Sequence, residues 1–255
     1  MNDLFSLKGR TALVTGGSRG IGRMIAKGFL MQGARVYISS RKAAACEDTA
    51  RELSALGPCF ALPADVSTVE GARGLASAYA AKEGALDILV NNAGAAWGES
   101  FDTFPEKGWD KVMDLNVKSP FFLTQALHEQ LRYGAKSHCA KVINIASIDG
   151  VSVNPQETYS YAASKAGLIH LTKRMSLRLV QDNIVVSGIA PGAFASDMNR
   201  LARDHGDEVA RRIPSGRIGT EEDMAGVAIY LASRAGDYVV GQTIVVDGGV
   251  TLARG

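Results

Sequence analysis

Cysteine is scarce in this sequence, and its few cysteines lie far apart. Cys46, Cys59 and Cys139 are an odd number and include no Cys-x-x-Cys pair, so the sequence predicts neither a disulfide framework nor a zinc site. The four histidines are scattered, without a His-x-x-x-His pair. We therefore expect no metal ion, and we interpret the cysteines as small apolar side chains of the core.

An excess of charge of one sign is also missing. Lys and Arg number 28 and Asp and Glu number 26, which leaves a net charge of +2 and removes the main electrostatic reason to expect a nucleic acid. No apolar run approaches the ~20 residues that a membrane span needs. Residues 1–8 form no basic leader with an apolar stretch behind it. We expect a soluble cytoplasmic protein with no nucleic acid and no membrane among its partners.

Hydrophobic residues make up 46% of the 255 positions, so the chain can bury a large core. Short apolar runs alternate with stretches of helical spacing, and most of these runs lack strict apolar-polar alternation. Such runs are typical of strands buried on both faces. The predicted strands are residues 11–15, 35–39, 59–62, 87–91, 142–147, 184–190 and 243–246.

Strands that alternate with helices predict a single α/β domain over residues 1–255. The expected fold is a Rossmann-type doubly wound parallel sheet of about seven strands, with helices on both faces. Thr220, followed by Glu222 and Asp223, is interpreted as the cap and first-turn acids of a late helix. Residues 193–215 are polar, with interrupted periodicity, so they are predicted to form a substrate loop or lid.

Glycine is in excess, 28 of 255 residues, and several glycines follow the first predicted strand. Residues 15–22 read Thr-Gly-Gly-Ser-Arg-Gly-Ile-Gly and lead into a helical pattern. Such a turn brings backbone N–H groups to a pyrophosphate at the positive end of a helix. A turn that only packs the helix closely on the sheet is the alternative, but the position between strand and helix favours a nucleotide site. The predicted contacts are Gly16, Ser18, Arg19, Gly20, Ile21 and Gly22.

The end of the second predicted strand indicates which nucleotide binds. An NAD site usually has Asp or Glu there, because a carboxylate accepts hydrogen bonds from the ribose hydroxyls. Here residues 39–42 read Ser-Ser-Arg-Lys. The guanidinium groups of Arg41 and Arg19 could clamp a 2′-phosphate, although either could also be a solvated surface charge. The missing acid predicts NADPH/NADP+ as the cofactor.

Tyr161 and Lys165 are four residues apart in a helical pattern, so both side chains lie on one face. An adjacent ammonium stabilises a phenolate and lowers the pKa of tyrosine from ~10, which would let Tyr161 act as a general acid. Ser147, at the predicted end of the fifth strand, could hold a carbonyl oxygen beside it. A Tyr-x-x-x-Lys pair alone is common on helix surfaces. Its place between Ser147 and Pro191-Gly192 makes the pattern specific.

These motifs, in this order, resemble the short-chain dehydrogenase/reductase family over essentially the whole chain. The resemblance implies a catalytic tetrad of Asn116, Ser147, Tyr161 and Lys165 and hydride transfer from a nicotinamide to a carbonyl carbon. Tyr161 would donate the proton and Ser147 would position the carbonyl. Lys165 would hold the nicotinamide ribose, and Asn116 would order a water in the proton relay. The implied cofactor contacts are Asp65, Val66, Asn91, Ala93, Gly94, Tyr161, Lys165, Pro191, Gly192, Phe194 and Ser196.

Within this family, the sequence is most similar to 3-oxoacyl-acyl-carrier-protein reductases, including those of rhamnolipid-type synthesis. That likeness lies in residues 7–22, 191–198 and 239–249. It implies NADPH-dependent reduction of a 3-oxoacyl thioester linked to acyl-carrier protein or coenzyme A. It also implies a homotetramer, or a dimer, formed through residues 108–133 and the helix after Tyr159.

Two alternatives remain open. Family members that act on sugar acids, polyols or small ketones share every motif quoted above. A non-catalytic NADPH-binding regulator is the alternative from another class, and the presence of both Tyr161 and Lys165 argues against it.

Overall fold

The structure is a computed structural model, and it describes residues 3–253. Seven strands form one parallel sheet: β1 (Thr11–Thr15), β2 (Arg35–Ser39), β3 (Cys59–Ala61), β4 (Ile88–Asn91), β5 (Ala140–Ile145), β6 (Ile184–Pro191) and β7 (Thr243–Val246). The longer helices are α1 (Gly20–Met31), α2 (Ala43–Leu53), α3 (Val69–Ala80), α4 (Glu106–Met113), α5 (Ser119–Ala126), α6 (His128–Gly134), α7 (Tyr159–Leu179) and α10 (Glu221–Ala232). The shorter helices are α8 (Arg200–Asp204), α9 (Gly206–Ala210) and α11 (Val250–Ala253). The α/β Rossmann-type fold predicted from the sequence is confirmed.

The strands follow the order β3-β2-β1-β4-β5-β6-β7, and every neighbouring pair is parallel. The chain therefore reverses its direction of travel across the sheet between β3 and β4, which places β4 beside β1. In open parallel sheets, ligands bind in the crevice at the carboxyl ends of the two strands where this reversal occurs. The segments that follow β1 and β4 are thus brought together.

Both faces of the sheet are buried, which explains why the strands are apolar without alternation. Successive residues of β1 point to opposite sides: Val14 packs with Phe29 of α1 in one core cluster, and Leu13 packs with Tyr79 of α3 in the other. The first cluster also takes in Met224 of α10. Each helix layer covers one face, as the predicted architecture requires.

Five predicted strand boundaries, in four strands, are wrong, and β5 is the most instructive case. It begins at Ala140, two residues before the predicted start, and includes the fully buried Lys141, whose ammonium donates a hydrogen bond to Asp237 at 2.7 Å. A charged residue in a buried strand hides that strand's start from any apolar pattern. Ser147 lies past the end of β5 and caps the 3-10 helix Ile148–Gly150, with its hydroxyl accepting the Asp149 N–H at 3.1 Å. The other corrected strands are β3, β4 and β6, each by one residue.

The predicted start of α10 is confirmed. The Thr220 hydroxyl accepts the Asp223 N–H at 3.4 Å, and the Asp223 carboxylate accepts the Thr220 N–H at 2.8 Å. This reciprocal capping satisfies two backbone donors that a helix start leaves unpaired.

Several features bear on the expected partners. Among residues 3–253, no helix combines the length and the apolar character needed to cross a membrane. The same residues contain no cluster of His, Cys, Asp or Glu that could hold a metal ion. Trp109, Phe121 and Leu177 are exposed on α4, α5 and α7, so the elements predicted to pair in a tetramer carry apolar surface. The tetramer stays a prediction.

Candidate active site

The segments after β1 and β4 are held together by the last residue of β1. The Thr15 hydroxyl accepts the N–H groups of Asn92 and Ala93, each at 3.0 Å. The Asn92 side chain returns a bond to the Thr15 carbonyl at 2.8 Å. Two segments predicted to contact the cofactor, the glycine turn and residues 91–94, are therefore adjacent. Neither Thr15 nor Asn92 is among the contacts predicted from the sequence.

Glycine is required at two positions of the glycine turn, one for its backbone conformation and one for lack of room. Gly20 has a φ of +52°, which favours glycine. A Cβ on Gly22 would lie 2.4 Å from the Gly16 carbonyl oxygen, so a larger residue cannot fit there. Arg19 precedes α1 without a side-chain cap, and the first turn of α1 has no acidic residue. The N–H groups at the start of α1 thus suit the pyrophosphate of a dinucleotide.

A cavity of about 640 Å³ opens beside this turn. Both of the predicted phosphate-binding arginines, Arg19 and Arg41, line it. Five of its lining side chains are basic and one is acidic, a balance that suits a ligand with several negative charges. The full lining is Arg19, Arg41, Gly94, Ala95, Ala96, Lys111, Asp197, Met198, Arg200 and Arg203.

Arg19 is not a free cation in this structure, since it forms an ion pair with Asp197. Asp197 also accepts a hydrogen bond from Arg203 at 2.6 Å, and Arg203 pairs in addition with Asp204. These four residues connect the glycine turn to the segment that follows β6. No sequence pattern indicates this connection, because its two ends are 178 residues apart.

Lys165 lies in the second turn of α7 and is buried, with 5% of its surface exposed. Its Nζ donates a hydrogen bond to the carbonyl of Ile145, the last residue of β5, at 2.8 Å. The same Nζ lies 5.5 Å from the centroid of the Tyr161 ring. Burial lowers the pKa of Lys165 to about 8.

Tyr161 is half-buried, and burial raises its pKa to about 12. A hydrogen bond with the Ser147 hydroxyl acts in the opposite direction, while the negative charge of Asp149 raises the pKa further. The prediction that Lys165 lowers the pKa of Tyr161 is therefore wrong, because the ammonium of Lys165 is turned to the Ile145 carbonyl and the group that lowers this pKa is Ser147. Tyr161 therefore keeps its proton near neutral pH, and its hydroxyl lies beside that of Ser147.

Asn116 lies in a π turn, Asp114–Lys118, between α4 and α5. Its amide donates to the Ala95 carbonyl and the Ser164 hydroxyl, each at 2.9 Å, and its Oδ1 accepts the Ala95 N–H at 2.9 Å. Single π turns inside helices are frequent at functional sites. Asn116 joins the segment after β4 to α7, and Ser164 is a partner that sequence reasoning missed. A Cβ on Gly94 would lie 3.2 Å from Asn116 Oδ1 and 3.8 Å from Lys165 Nζ, so these three residues converge.

Asn91 is turned into the sheet rather than towards the cavity. It is 4% exposed, and its amide donates to Asn144 Oδ1 at 2.9 Å and to the Thr124 hydroxyl at 3.2 Å. Its side chain holds β4 to β5, which leaves only its backbone for a ligand. Near the end of β3, Asp65 is exposed and accepts the Ser67 N–H at 3.0 Å, while Val66 is buried.

The last predicted contacts follow β6. Pro191 ends that strand, and Phe194 is buried and bridges to Gly219. The Ser196 hydroxyl accepts the Asn199 N–H at 3.1 Å. A Cβ on Gly20 would lie 3.2 Å from Ser196 Cβ, so the segment after β6 passes directly over the glycine turn. The structure thus collects most of the predicted residues at the carboxyl edge of the sheet.

Comparison with known proteins agrees with this geometry. A family model described as enoyl-(acyl carrier protein) reductase matches residues 16–251. The rhamnolipids biosynthesis 3-oxoacyl-[acyl-carrier-protein] reductase of Pseudomonas aeruginosa is 50% identical over 256 residues, covering 99% of this chain and 100% of that protein. The 2-dehydro-3-deoxy-D-gluconate 5-dehydrogenase of Dickeya dadantii is 39% identical over 258 residues, covering 98% of each. The solved Pseudomonas aeruginosa RhlG/NADP active-site complex has a TM-score of 0.95 at 49% identity, covering 98% of this chain and 100% of that chain.

Proposed function

This chain belongs to the short-chain dehydrogenase/reductase family, and we propose that it is an NADPH-dependent reductase that converts the ketone of a 3-oxoacyl thioester to a secondary alcohol. Support for the substrate comes from the full-length similarity to a 3-oxoacyl-[acyl-carrier-protein] reductase. The thioester would be carried on acyl-carrier protein or coenzyme A.

The observation that carries the proposal is the set of side chains that surround the Tyr161 hydroxyl. Its phenol is paired with the Ser147 hydroxyl at the carboxyl edge of the sheet, and the Lys165 Nζ lies 5.5 Å from the centroid of its ring. A carbonyl oxygen that accepts from both hydroxyls is polarised and fixed in place. Tyr161 then gives its proton to the alkoxide as it forms, and the buried Lys165 stabilises the phenolate that remains.

The cofactor supplies the hydride that the carbonyl carbon receives. On the protein side, the N–H groups at the start of α1 would hold the pyrophosphate, and Arg19 and Arg41 would hold the 2′-phosphate. The absence of an acid at residues 39–42 supports NADPH over NADH. The likeness to an NADP complex supports the same choice.

A sugar acid is the second candidate substrate, because a 2-dehydro-3-deoxy-D-gluconate 5-dehydrogenase is also similar over nearly the whole chain. The proton transfer would be the same. The difference would lie in the contacts that the rest of the substrate makes with the protein.

The proposal predicts that Tyr161→Phe removes most of the reductase activity. With NADPH and a short 3-oxoacyl thioester, we expect kcat to fall by about 10²- to 10⁴-fold, because the alkoxide loses its proton donor. The measurement is the decrease in NADPH absorbance. Tyr159→Phe, an exposed tyrosine in the same helix, is the control and should keep wild-type kcat. Full turnover by Tyr161→Phe would contradict proton donation by this residue, and a wild-type enzyme inactive on thioesters would contradict the substrate.

A further inference from the structure

The cavity beside the glycine turn contains more positive charge than the cofactor assignment uses. Arg19 and Arg41 are assigned to the 2′-phosphate, and Arg203 is paired with Asp197 and Asp204. Two lining cations remain, Lys111 and Arg200. Within residues 3–253, neither has a carboxylate within ion-pair distance.

Lys111 has a defined place on one wall of the cavity. It extends from α4, and its Nζ lies over the Trp97 ring, 5.3 Å from the ring centroid. Trp97 in turn packs against α4 at Gly108, where a Cβ would lie 2.8 Å from the indole. The ring therefore restricts the lysine without neutralising its charge, since a cation over an aromatic face keeps its hydrogen-bond donors free.

Arg200 lines the same cavity from a different element, at the start of α8 in the segment after β6. Its neighbour Met198 also lines the cavity and is 54% exposed, and Leu201 beside it is 47% exposed. Cations from two elements that line one cavity, with apolar side chains next to them, suit a ligand that carries both a negative group and an apolar part.

We propose that Lys111 and Arg200 form an anion subsite for the carbonyl substrate, separate from the arginines that hold the cofactor. The inference rests on the proposed function, because it requires the substrate to enter this cavity. The ligand chemistry is an oxyanion at the end of the substrate remote from the ketone. Its source is either the phosphate of a pantetheine arm or the carboxylate of a keto sugar acid, and a guanidinium and an ammonium bind both.

The experiment compares substrates that differ in the remote anion. A 3-oxoacyl-coenzyme A and the matching N-acetylcysteamine thioester share the reacting ketone, but only the first carries phosphates. A keto sugar acid and the corresponding neutral keto sugar form the second pair. Each is assayed with NADPH for the wild type and for Lys111→Gln and Arg200→Gln. The controls are Lys107→Gln on α4 and Arg211→Gln on the segment after β6, both exposed and outside the cavity lining.

We expect each test variant to raise KM for the anionic member of one pair by about fivefold, with its neutral partner unchanged and the controls at wild-type values. The pair that responds identifies the source of the anion. The subsite is wrong if both members of a pair weaken equally, or if the Kd of NADPH rises instead, because the cations would then belong to the cofactor. The proposed function fails separately, when the wild type turns over neither thioester.

Discussion

Lys165 carries its charge in a place where burial opposes it. Its Nζ has the Ile145 carbonyl as its hydrogen-bond acceptor, and its pKa of about 8 lies below the ordinary value of 10.5. A buried ammonium without a carboxylate destabilises the folded state. The same positive charge stabilises the phenolate of Tyr161 after proton donation. Lys165 therefore lowers the stability of the folded state but supports the reaction.

We predict that Lys165→Met raises stability while it removes reductase activity. At pH 7 the free energy of unfolding should rise by about 1 kcal/mol, or about 3 °C in Tm. The gain should be complete below pH 8 and shrink as pH rises from 8 towards 10.5, because the folded wild type then sheds the buried charge while the unfolded chain keeps it. Thermal unfolding across pH measures this, with the exposed Lys173→Met as control. A variant less stable than the wild type at pH 7 would show that the ammonium contributes net stability.

At the scale of the element, regular features were predictable and irregular ones were not. β1, β2 and β7 have the predicted bounds, because their apolar runs stop where the backbone turns. The predicted start of β5 is two residues too late, because Lys141 interrupts the apolar run. The π turn around Asn116 leaves no mark in composition, since it differs from an α-helix only by one shifted hydrogen bond. Asn116 was therefore placed by family resemblance alone.

The candidate site likewise has parts that the sequence predicts and parts that it does not. Residues 15–22 and the Tyr161–Lys165 pair have spacings with a direct chemical meaning, so the sequence alone predicts their roles. The ion pair between Arg19 and Asp197 joins two segments that approach only in the folded chain, and no periodicity encodes it. Contacts of that kind require the structure.

That ion pair leads to a prediction about the two segments it joins. Because Asp197 occupies Arg19, it competes with a 2′-phosphate for the same guanidinium. Asp197→Asn should therefore tighten NADPH binding by about threefold and leave NADH binding unchanged. Asp204→Asn, which removes a partner of Arg203 alone, is the control. Fluorescence titration measures the Kd of each cofactor for the wild type and the variants. Equal changes in the Kd of NADPH and of NADH would refute the competition.

At the scale of the whole molecule, the carboxyl ends and the amino ends of the strands have different roles. The candidate site lies at the carboxyl ends, and a network of charged side chains lies at the amino ends, far from the site along the strands. There Asp87 accepts the Thr11 N–H at 2.6 Å and lies 2.7 Å from His138 Nε2, while Lys141 bonds Asp237. This network joins strand starts to the chain that follows α10. It serves the fold, since none of its members lines the cavity.

Asp237→Ala should therefore destabilise the protein without changing its chemistry. Lys141 is 1% exposed and would lose its carboxylate, which should lower the free energy of unfolding by about 3 kcal/mol and Tm by about 9 °C. The double variant Lys141→Met/Asp237→Ala should regain most of this loss, because it leaves no unpaired buried charge. The kcat for the thioester should stay at the wild-type value in both variants at 25 °C. Thermal unfolding tests the stability, and a double variant as unstable as the single one would show that Asp237 acts through other contacts. NADPH oxidation tests the activity, and a changed kcat would show that the amino ends of the strands are coupled to the candidate site.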